Sequence, residues 1–310
     1  MKKITLNSHK NSFNGEYYIA NKNSKYAFIV ILGHHKEFIN SAAKLLQKYN
    51  INTLGIYPYD KEKSNVKFSL FPLERIENAI SFLKEKGITK IGIVGGSTWS
   101  TISLVSSSLF SDISLSINIS PCDYVLEGLY QGKKEKMKEW PSGVSSLTYK
   151  NEEIPFHPFP NEKEYWNLTD IEYSVNKEPH SINFFNENEK KIKKEAFIKI
   201  EEGKCKYVFF ASKDDTMWDS VNHMARMEKR LKKAKYAYSS EFIDYEYGSH
   251  FLFPQYMLNH LKSLGGELIL KCFKSFKQNK QECRNTYLDI DKKIDLILSS
   301  WTSEEEKEEE

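Results

Sequence analysis

The sequence lacks a charge bias, a cysteine framework and any long apolar run. It has 45 lysines and arginines against 42 aspartates and glutamates, a net charge of +3, without the clustered basic excess that nucleic-acid binding needs. Its four cysteines form no CxxC pair, and their spacing fits neither a zinc site nor a disulfide framework. No stretch approaches the roughly eighteen apolar residues of a membrane span. We therefore expect neither a nucleic-acid partner nor a membrane span.

Both ends of the chain are polar. Residues 1–14 lack the apolar core of a secretory signal, and cysteines without a pairing pattern are typical of reduced thiols. We therefore predict a cytoplasmic protein. Residues 303–310 are almost all glutamate and predict a short, disordered acidic tail, because like charges repel one another.

The chain does contain a regular alternation of apolar strands and amphipathic helices. Tyr26–Leu32 is apolar on both faces, which indicates a buried central strand. Further strands are predicted at Glu16–Ala20, Thr53–Tyr57, Lys90–Val94, Ser114–Ile119, Lys206–Ala211 and Glu241–Tyr245. Helices are predicted at Phe38–Tyr49, Pro72–Lys86, Thr98–Ser108, Ser220–Lys232, Gly266–Lys277 and Tyr287–Trp301. This order predicts an α/β fold with a mostly parallel sheet and helices on both faces.

The alternation breaks between residues 120 and 194. This segment carries six prolines among aromatic and charged residues, and long insertions of this kind are usually functional or disordered. We predict a single domain over residues 1–302 with a cap inserted at about residues 121–195.

The predicted strand Lys90–Val94 runs into Gly95-Gly96-Ser97 and then into a helix. This is the setting of a nucleophile elbow, in which a serine on a sharp strand-to-helix turn projects its hydroxyl above the sheet. Gly95 lets such a turn close without a Cβ clash. The usual G-x-S-x-G pattern has a second glycine where this chain has Trp99, whose indole must fit beside the neighbouring strand or point into the pocket. A glycine-rich turn with an incidental serine is the alternative.

An acid and a base that would serve such a serine each follow a predicted strand. Asp214 and Asp215 come after Lys206–Ala211, and His250 ends a Gly-Ser-His loop after Glu241–Tyr245. The order serine, acid, histidine is that of the α/β-hydrolase fold. Because adjacent side chains in a loop point in different directions, only one of the two aspartates can reach His250. The residues alone leave that choice open.

An oxyanion hole needs two N–H donors, one from the residue after the serine and one from the loop after the strand ending at Leu32. We predict the N–H of Thr98 together with that of His34 or Gly33. The His34–His35 pair suggests a metal site as an alternative, but no carboxylate–histidine cluster with metal-ligand spacing surrounds it. We predict neither a metal nor a cofactor.

Several segments together resemble the catalytic domain of the acyl-CoA thioester hydrolases and bile acid-CoA:amino acid N-acyltransferases, over about residues 26–301. Asp214-Asp215-Thr216-Met217-Trp218 resembles that family's acid loop, in which the aspartate three residues before the tryptophan is the triad acid. The resemblance therefore implies Asp215. Gly248-Ser249-His250-Phe251 is similar to its histidine loop. Weaker similarities lie at Ile31–Gly33, Phe71–Glu74, Gly95–Ser97, Glu127–Tyr130 and Leu264–Gly266.

The resemblance implies a serine hydrolase that cleaves a small-molecule acyl thioester such as acyl-CoA, or a carboxylic ester, through an acyl-enzyme on Ser97. The acyltransferases of the family use cysteine, so Ser97 implies hydrolysis. Trp99 and Trp218 are candidates to line the substrate pocket. The cap lysines Lys133, Lys134 and Lys136 are candidates to meet a CoA phosphate, although solvated lysines explain them equally well.

Two other functions stay open at this point. One is a catalytically silent hydrolase fold that binds a ligand, since Trp99 would fill the site if it pointed inward. The other is an acyltransferase that passes the acyl group to an amine or alcohol. The sequence assigns no oligomeric state.

Overall fold

The computed structural model describes residues 1–33, 36–58, 66–131, 139–160 and 171–303. Its strands are β1 (Lys2–Leu6), β2 (Gly15–Ile19), β3 (Tyr26–Ile31), β4 (Asn52–Ile56), β5 (Val66–Phe68), β6 (Phe71–Pro72), β7 (Lys90–Gly96), β8 (Ile113–Ile119), β9 (Glu127–Gln131), β10 (Glu139–Ser145), β11 (Leu147–Tyr149), β12 (Glu152–Glu153), β13 (Lys206–Ser212) and β14 (Ser240–Tyr245).

The helices follow the same chain order. They are α1 (Ser8–Asn11), α2 (Lys36–Gln47), α3 (Glu74–Glu85), α4 (Ser100–Leu109), α5 (171–176), α6 (Ile182–Glu189), α7 (Ser220–Ala234), α8 (Gln255–His260), α9 (Lys274–Gln278) and α10 (Lys280–Ser303). Short 3₁₀ helices lie at Ser97–Trp99, Lys194–Ala196, Ile200–Glu202, Lys262–Leu264 and Gly266–Cys272.

A central sheet of eight strands has the order β1-β2-β4-β3-β7-β8-β13-β14. The strands from β4 to β14 in this order are parallel to their neighbours, whereas β2 pairs antiparallel with β4 and β1 antiparallel with β2. The carboxyl ends of the parallel strands meet at one edge of the sheet, which is where such folds bind ligands. The loops after β3, β7, β13 and β14 open on this edge.

Strand β3 explains how the two faces of the sheet are covered. Ala27, Ile29 and Ile31 belong to one core, together with apolar residues of α3, α4 and α7. Phe28, Val30 and Leu32 belong to the other core, with residues of α2, α8 and α10. Because successive side chains of a strand point to opposite faces, an apolar run without alternation requires a helix layer on each side. The predicted fold class is confirmed.

Several predicted helices have other bounds in the structure. The one predicted over Tyr287–Trp301 begins at Lys280, because the N–H of Cys283 already bonds to the Asn279 carbonyl oxygen at 2.9 Å. Pro72 does not start a helix, because it pairs with Thr148 in a small sheet, and α3 begins at Glu74. The predicted helix over 266–277 is two pieces, because Phe273 between them has extended dihedrals (φ −92°, ψ 136°). Its buried ring packs edge-on against Phe251, with centroids 5.3 Å apart, and this contact holds the break in place.

The segment between β8 and β13 forms small structures outside the main sheet. In one three-stranded sheet β9 lies between β10 and β5, and in another β11 lies between β12 and β6. A separate apolar cluster includes Tyr124, Phe159, Phe184, Phe185 and Trp218, and it joins this segment to the start of α7. Ser303 is the last residue of α10, and the rest of the predicted tail lies outside the described residues.

Among the described residues, no helix has both the length and the apolar character needed to cross a bilayer.

Candidate active site

Ser97 lies at the turn between β7 and the helical segment that begins α4. Its φ is +56°, in the left-handed region that a non-glycine residue rarely occupies and that is typical of strained functional positions. A Cβ on Gly95 would lie 2.5 Å from the Trp99 carbonyl oxygen and 2.7 Å from Ser103 Oγ. Glycine at this position therefore allows the strand and the helix to approach each other closely, and the resulting turn presents the Ser97 side chain at the carboxyl edge of the sheet.

His250 reaches Ser97 from the loop after β14. Its Nε2 lies 2.6 Å from Ser97 Oγ, within hydrogen-bond distance. The ring is 2% exposed. Ser120, after β8, donates its hydroxyl to the His250 carbonyl oxygen at 2.7 Å. The loops after three parallel strands thus meet around one imidazole.

Asp215 contacts the other ring nitrogen. Both of its carboxylate oxygens lie 2.9 Å from His250 Nδ1, and one of them also accepts the N–H of Met217 at 2.9 Å. An ionised carboxylate can only accept hydrogen bonds. His250 Nδ1 therefore carries the proton and Nε2 is the acceptor for the Ser97 hydroxyl. The structure brings these three predicted residues together in that order.

Asp214 has a different set of partners. Its carboxylate accepts the N–H of Gly248 at 3.1 Å and that of Ser249 at 2.7 Å, and the hydroxyls of Ser212 and Ser275 also donate to it. The two neighbouring aspartates therefore point apart, one to the ring of His250 and the other to the backbone before it.

Trp99 does not separate Ser97 from His250. Its indole lies edge-on against Phe68, with ring centroids 4.7 Å apart, and a Cβ on Gly33 would lie 3.4 Å from its Nε1. Gly33 has a φ of +87°, so both conformation and space favour glycine there. The indole lies beside the neighbouring strand end and is only partly buried.

Trp218 packs against the histidine. Its ring meets that of His250 edge-on at 4.8 Å and that of Phe185 at 5.4 Å. The side chain is buried, and its Nε1–H donates to the Ser120 carbonyl oxygen at 3.3 Å. It thereby connects the apolar cluster of the insertion to the imidazole.

The predicted oxyanion donors are described only in part. Thr98 lies in the first helical turn behind Ser97, where N–H groups have no intrahelical acceptor. Gly33 lies in the loop after β3, next to the Trp99 indole. His34 lies outside the described residues, as do His35 and the three cap lysines. In the described part of the chain, no three His, Cys, Asp or Glu side chains are grouped so that they could hold a metal ion.

A buried charge cluster lies where the insertion meets α7, and sequence reasoning missed it. Asp123 accepts two hydrogen bonds from Arg226, at 3.0 and 2.6 Å, and its Oδ1 lies 3.0 Å from His223 Nδ1. His223 Nε2 is 2.8 Å from Glu189, which also accepts a bond from Arg226 at 3.1 Å. The cluster joins residues from three separate segments, so no local pattern predicts it.

The contacts within this cluster set the charge of its members. Burial alone would raise the pKa of the Asp123 carboxyl, but hydrogen bonds from His223 and Arg226 lower that pKa to about 2. Burial alone would lower the pKa of His223, yet its contacts with Cys122, Asp123 and Glu189 hold it well above the ordinary value. The contacts within the cluster therefore favour the charged forms of both side chains.

The parallel sheet with its helix layers, and a strand-to-helix serine at the sheet's carboxyl edge, define the α/β-hydrolase class. Residues 71–269, well over half of the chain, match the family described as BAAT / acyl-CoA thioester hydrolase C terminal. The chain belongs to this family. A search of curated protein sequences finds no match.

Among solved structures, the chain is similar to MGS-M1, an α/β-hydrolase enzyme from a Medee basin deep-sea metagenome library. The two share 15% identity over 97% of this chain and 96% of that one, with a TM-score of 0.53. It is also similar to the esterase Pf2001 of Pyrococcus furiosus, at 13% identity over 86% of this chain and 96% of that one, with a TM-score of 0.48. At this identity the likeness concerns the fold alone.

Proposed function

We propose that this protein is a serine hydrolase that cleaves an acyl thioester or a carboxylic ester through an acyl-enzyme on Ser97. The observation that carries the proposal is the continuous contact from Ser97 Oγ to His250 Nε2 at 2.6 Å and from His250 Nδ1 to Asp215 at 2.9 Å. A serine hydroxyl is a weak nucleophile until a neighbouring base removes its proton. The neutral tautomer of His250 has its free lone pair on the nitrogen that faces Ser97.

In the proposed first half-reaction, Ser97 Oγ attacks the acyl carbonyl carbon while its proton passes to His250 Nε2. The backbone N–H of Thr98, with that of Gly33 or His34, stabilises the negative oxygen of the tetrahedral intermediate. Collapse of the intermediate breaks the bond to the leaving thiolate or alkoxide, which takes the proton from His250. The acyl group is then esterified to Ser97.

In the second half-reaction a water molecule repeats the attack. It gives a proton to His250 and adds its oxygen to the acyl carbon, and Ser97 leaves with the returned proton. Asp215 stabilises the imidazolium that forms in each half, because its buried carboxylate lies against Nδ1. The cycle uses only groups of the protein and water, so it requires no cofactor.

The proposal also assigns the surrounding residues. We propose that Trp99 lines the pocket together with Phe68, beside the oxyanion turn, and that Trp218 supports the ring of His250 from the insertion side. Residues 1–302 form one hydrolase domain and residues 121–195 are its cap. All four cysteines lie in the described ranges and are unpaired, which favours the reducing cytoplasm as the compartment.

The substrate class rests on the family. Its name covers acyl-CoA thioester hydrolysis and acyl transfer, and a serine at position 97 favours water as the acceptor. Thioesters are therefore the first substrates to test, with simple esters beside them.

A fluorophosphonate probe tests whether Ser97 is activated. We expect one phosphonyl group per chain, on the peptide that contains Ser97, and no labelling of the Ser97→Ala or His250→Ala variants. Ser108→Ala, at the far end of α4, is the matched control and should label like the unaltered protein. Labelling of another residue, or equal labelling of His250→Ala, would contradict the proposal.

Product analysis separates hydrolysis from transfer. With an acyl-CoA or a p-nitrophenyl ester we expect the free acid as the only acyl product, beside the released thiol or phenol. Adding glycine or taurine should produce no amide. A loss of about 10⁴-fold or more in kcat is expected for Ser97→Ala.

A further inference from the structure

The loop that carries His250 has no regular secondary structure between β14 and α8. A loop of this kind keeps a fixed course only if its backbone N–H and C=O groups find partners. Here side chains from three other segments provide them. The donors to its carbonyl oxygens are Thr286 to Tyr247 at 2.5 Å, Tyr287 to Gly248 at 3.0 Å and Ser120 to His250 at 2.7 Å.

The N–H groups of the same loop are bound by one carboxylate. Asp214 accepts the N–H of Gly248 on both oxygens, at 3.1 and 3.2 Å, and that of Ser249 at 2.7 Å. Hydrogen bonds to an ionised acceptor are roughly twice as strong as neutral ones. These contacts fix the two peptide units immediately before His250.

The conformation held in this way is strained. Ser249 has a φ of +57°, and a non-glycine residue in the left-handed region costs about 1 kcal/mol or more. The strain persists only while the surroundings impose it. Since Ser249 precedes His250 directly, relaxation of its backbone would rotate the Cα–Cβ bond that aims the imidazole at Ser97.

Asp214 is itself held from two sides. The Ser212 hydroxyl at the end of β13 and the Ser275 hydroxyl in α9 both donate to its carboxylate. The next residue in the chain, Asp215, contacts the ring of His250. Asp214 thus binds the backbone before His250, and its neighbour Asp215 binds the ring of His250.

We propose that Asp214 is a positioning residue for the hydrolytic reaction: it binds the backbone of residues 248 and 249 and so places the His250 ring within reach of Ser97. The inference rests on the acyl-enzyme function proposed above and extends it to a residue that does not touch the reacting atoms. It predicts a defect in the chemical step, while substrate binding stays the same.

The test is Asp214→Asn, which keeps the size, removes the negative charge and places an NH₂ group where a carboxylate oxygen accepts the N–H of Gly248. We expect kcat for p-nitrophenyl butyrate and the rate constant of fluorophosphonate labelling to fall about 10- to 100-fold, because small misplacements of reacting groups cost this much. KM should change by less than about twofold, since Asp214 does not contact substrate.

A second readout needs no substrate. The proton on His250 Nδ1 gives a far-downfield ¹H NMR signal because it is bonded to a carboxylate, and His250→Ala assigns it by removing it. In Asp214→Asn this signal should shift or broaden. The matched control is Asp219→Asn, which alters a helix cap in the same loop, where Asp219 accepts the N–H of Asn222 at 2.9 Å. Asparagine also caps helices, so this variant should fold normally and leave both kcat and the signal unchanged.

Ser275→Ala is the milder variant if Asp214→Asn does not fold, and it should change both readouts in the same direction by a smaller factor. Wild-type kcat together with an unchanged NMR signal in folded Asp214→Asn would overturn the inference. Failure of the unaltered protein to label at Ser97 would instead refute the proposed function, and the NMR comparison would still decide the role of Asp214.

Discussion

Replacing Asp123 by asparagine tests whether the buried charge cluster fastens the insertion to α7. The Asp123 side chain is fully buried and bonds to both Arg226 and His223. Asparagine has nearly the same volume, so the variant opens no cavity and removes only the negative charge. Removing one partner of a buried ion pair costs about 3–5 kcal/mol, because the remaining charges stay buried without full compensation. We expect that loss in the free energy of unfolding.

The loss of stability in Asp123→Asn should also depend on pH, which a change in packing alone would not produce. The pKa of His223 is held well above its ordinary value, so its contribution to stability is complete below about pH 6.5 and declines as the pH rises through the folded pKa. The pKa of Asp123 is lowered to about 2. The contribution of Asp123 to folding stability is therefore complete above the ordinary pKa of an aspartate and is lost as the pH falls toward 2. In Asp123→Asn the His223 ring loses one of the contacts that raise its pKa, so that pKa falls. The loss of stability should therefore be larger at pH 6 than at pH 8.5.

Urea unfolding at both pH values, followed by tryptophan fluorescence and far-UV circular dichroism, measures this difference. Asp112→Asn is the control, because Asp112 pairs with Lys84 at 2.6 Å in a contact where both side chains are about half exposed, and such pairs are worth less than about 1 kcal/mol. Two outcomes would show that the charged cluster does not fasten the insertion to α7. One is a loss in Asp123→Asn no larger than that in Asp112→Asn, and the other is an equal loss at both pH values.

Two further substitutions test the elbow. Gly95→Ala places a Cβ 2.5 Å from the Trp99 carbonyl oxygen, so we expect a loss of about 2 kcal/mol or more in unfolding free energy and slower labelling of Ser97, measured by urea unfolding and by probe kinetics. Trp99→Gly restores the usual elbow glycine but removes the contact with Phe68. We expect a loss of about 1–3 kcal/mol, retained labelling and acceptance of bulkier acyl groups across an ester panel, and an unchanged acyl preference would contradict the placement of Trp99 in the pocket.

The parts of the fold that sequence patterns predicted are those determined locally. Tyr26–Leu32 is apolar without interruption, and only a central strand between two helix layers buries such a run. Gly95 and Ser97 mark a turn whose geometry depends on neighbouring residues alone. The loops with Asp215 and His250 could be located because each follows a predicted strand, and parallel strands bring their ends to the same edge.

The parts that were not predicted depend on contacts between distant segments. The pairing of Pro72 with Thr148 joins strands of two and three residues, too short to have a recognisable alternation. The break at Phe273 has no glycine or proline beside it. Its contacts come from distant residues: Phe251 against the Phe273 ring and Glu178 at the N–H of Lys274. Asp214 was assigned no role, since nothing in the sequence indicates that its carboxylate binds the backbone of a loop 34 residues away.

In the proposed mechanism the acyl group is bound covalently to Ser97 during each turnover. Rapid acid quenching during turnover of an acyl-CoA or p-nitrophenyl ester, followed by peptide mass spectrometry, tests it directly. We predict a mass increase equal to the acyl group on the peptide that contains Ser97, which disappears once substrate is exhausted. Hydrolysis that proceeds with the acyl group on another residue, or at an undiminished rate in Ser97→Ala, would contradict the claim.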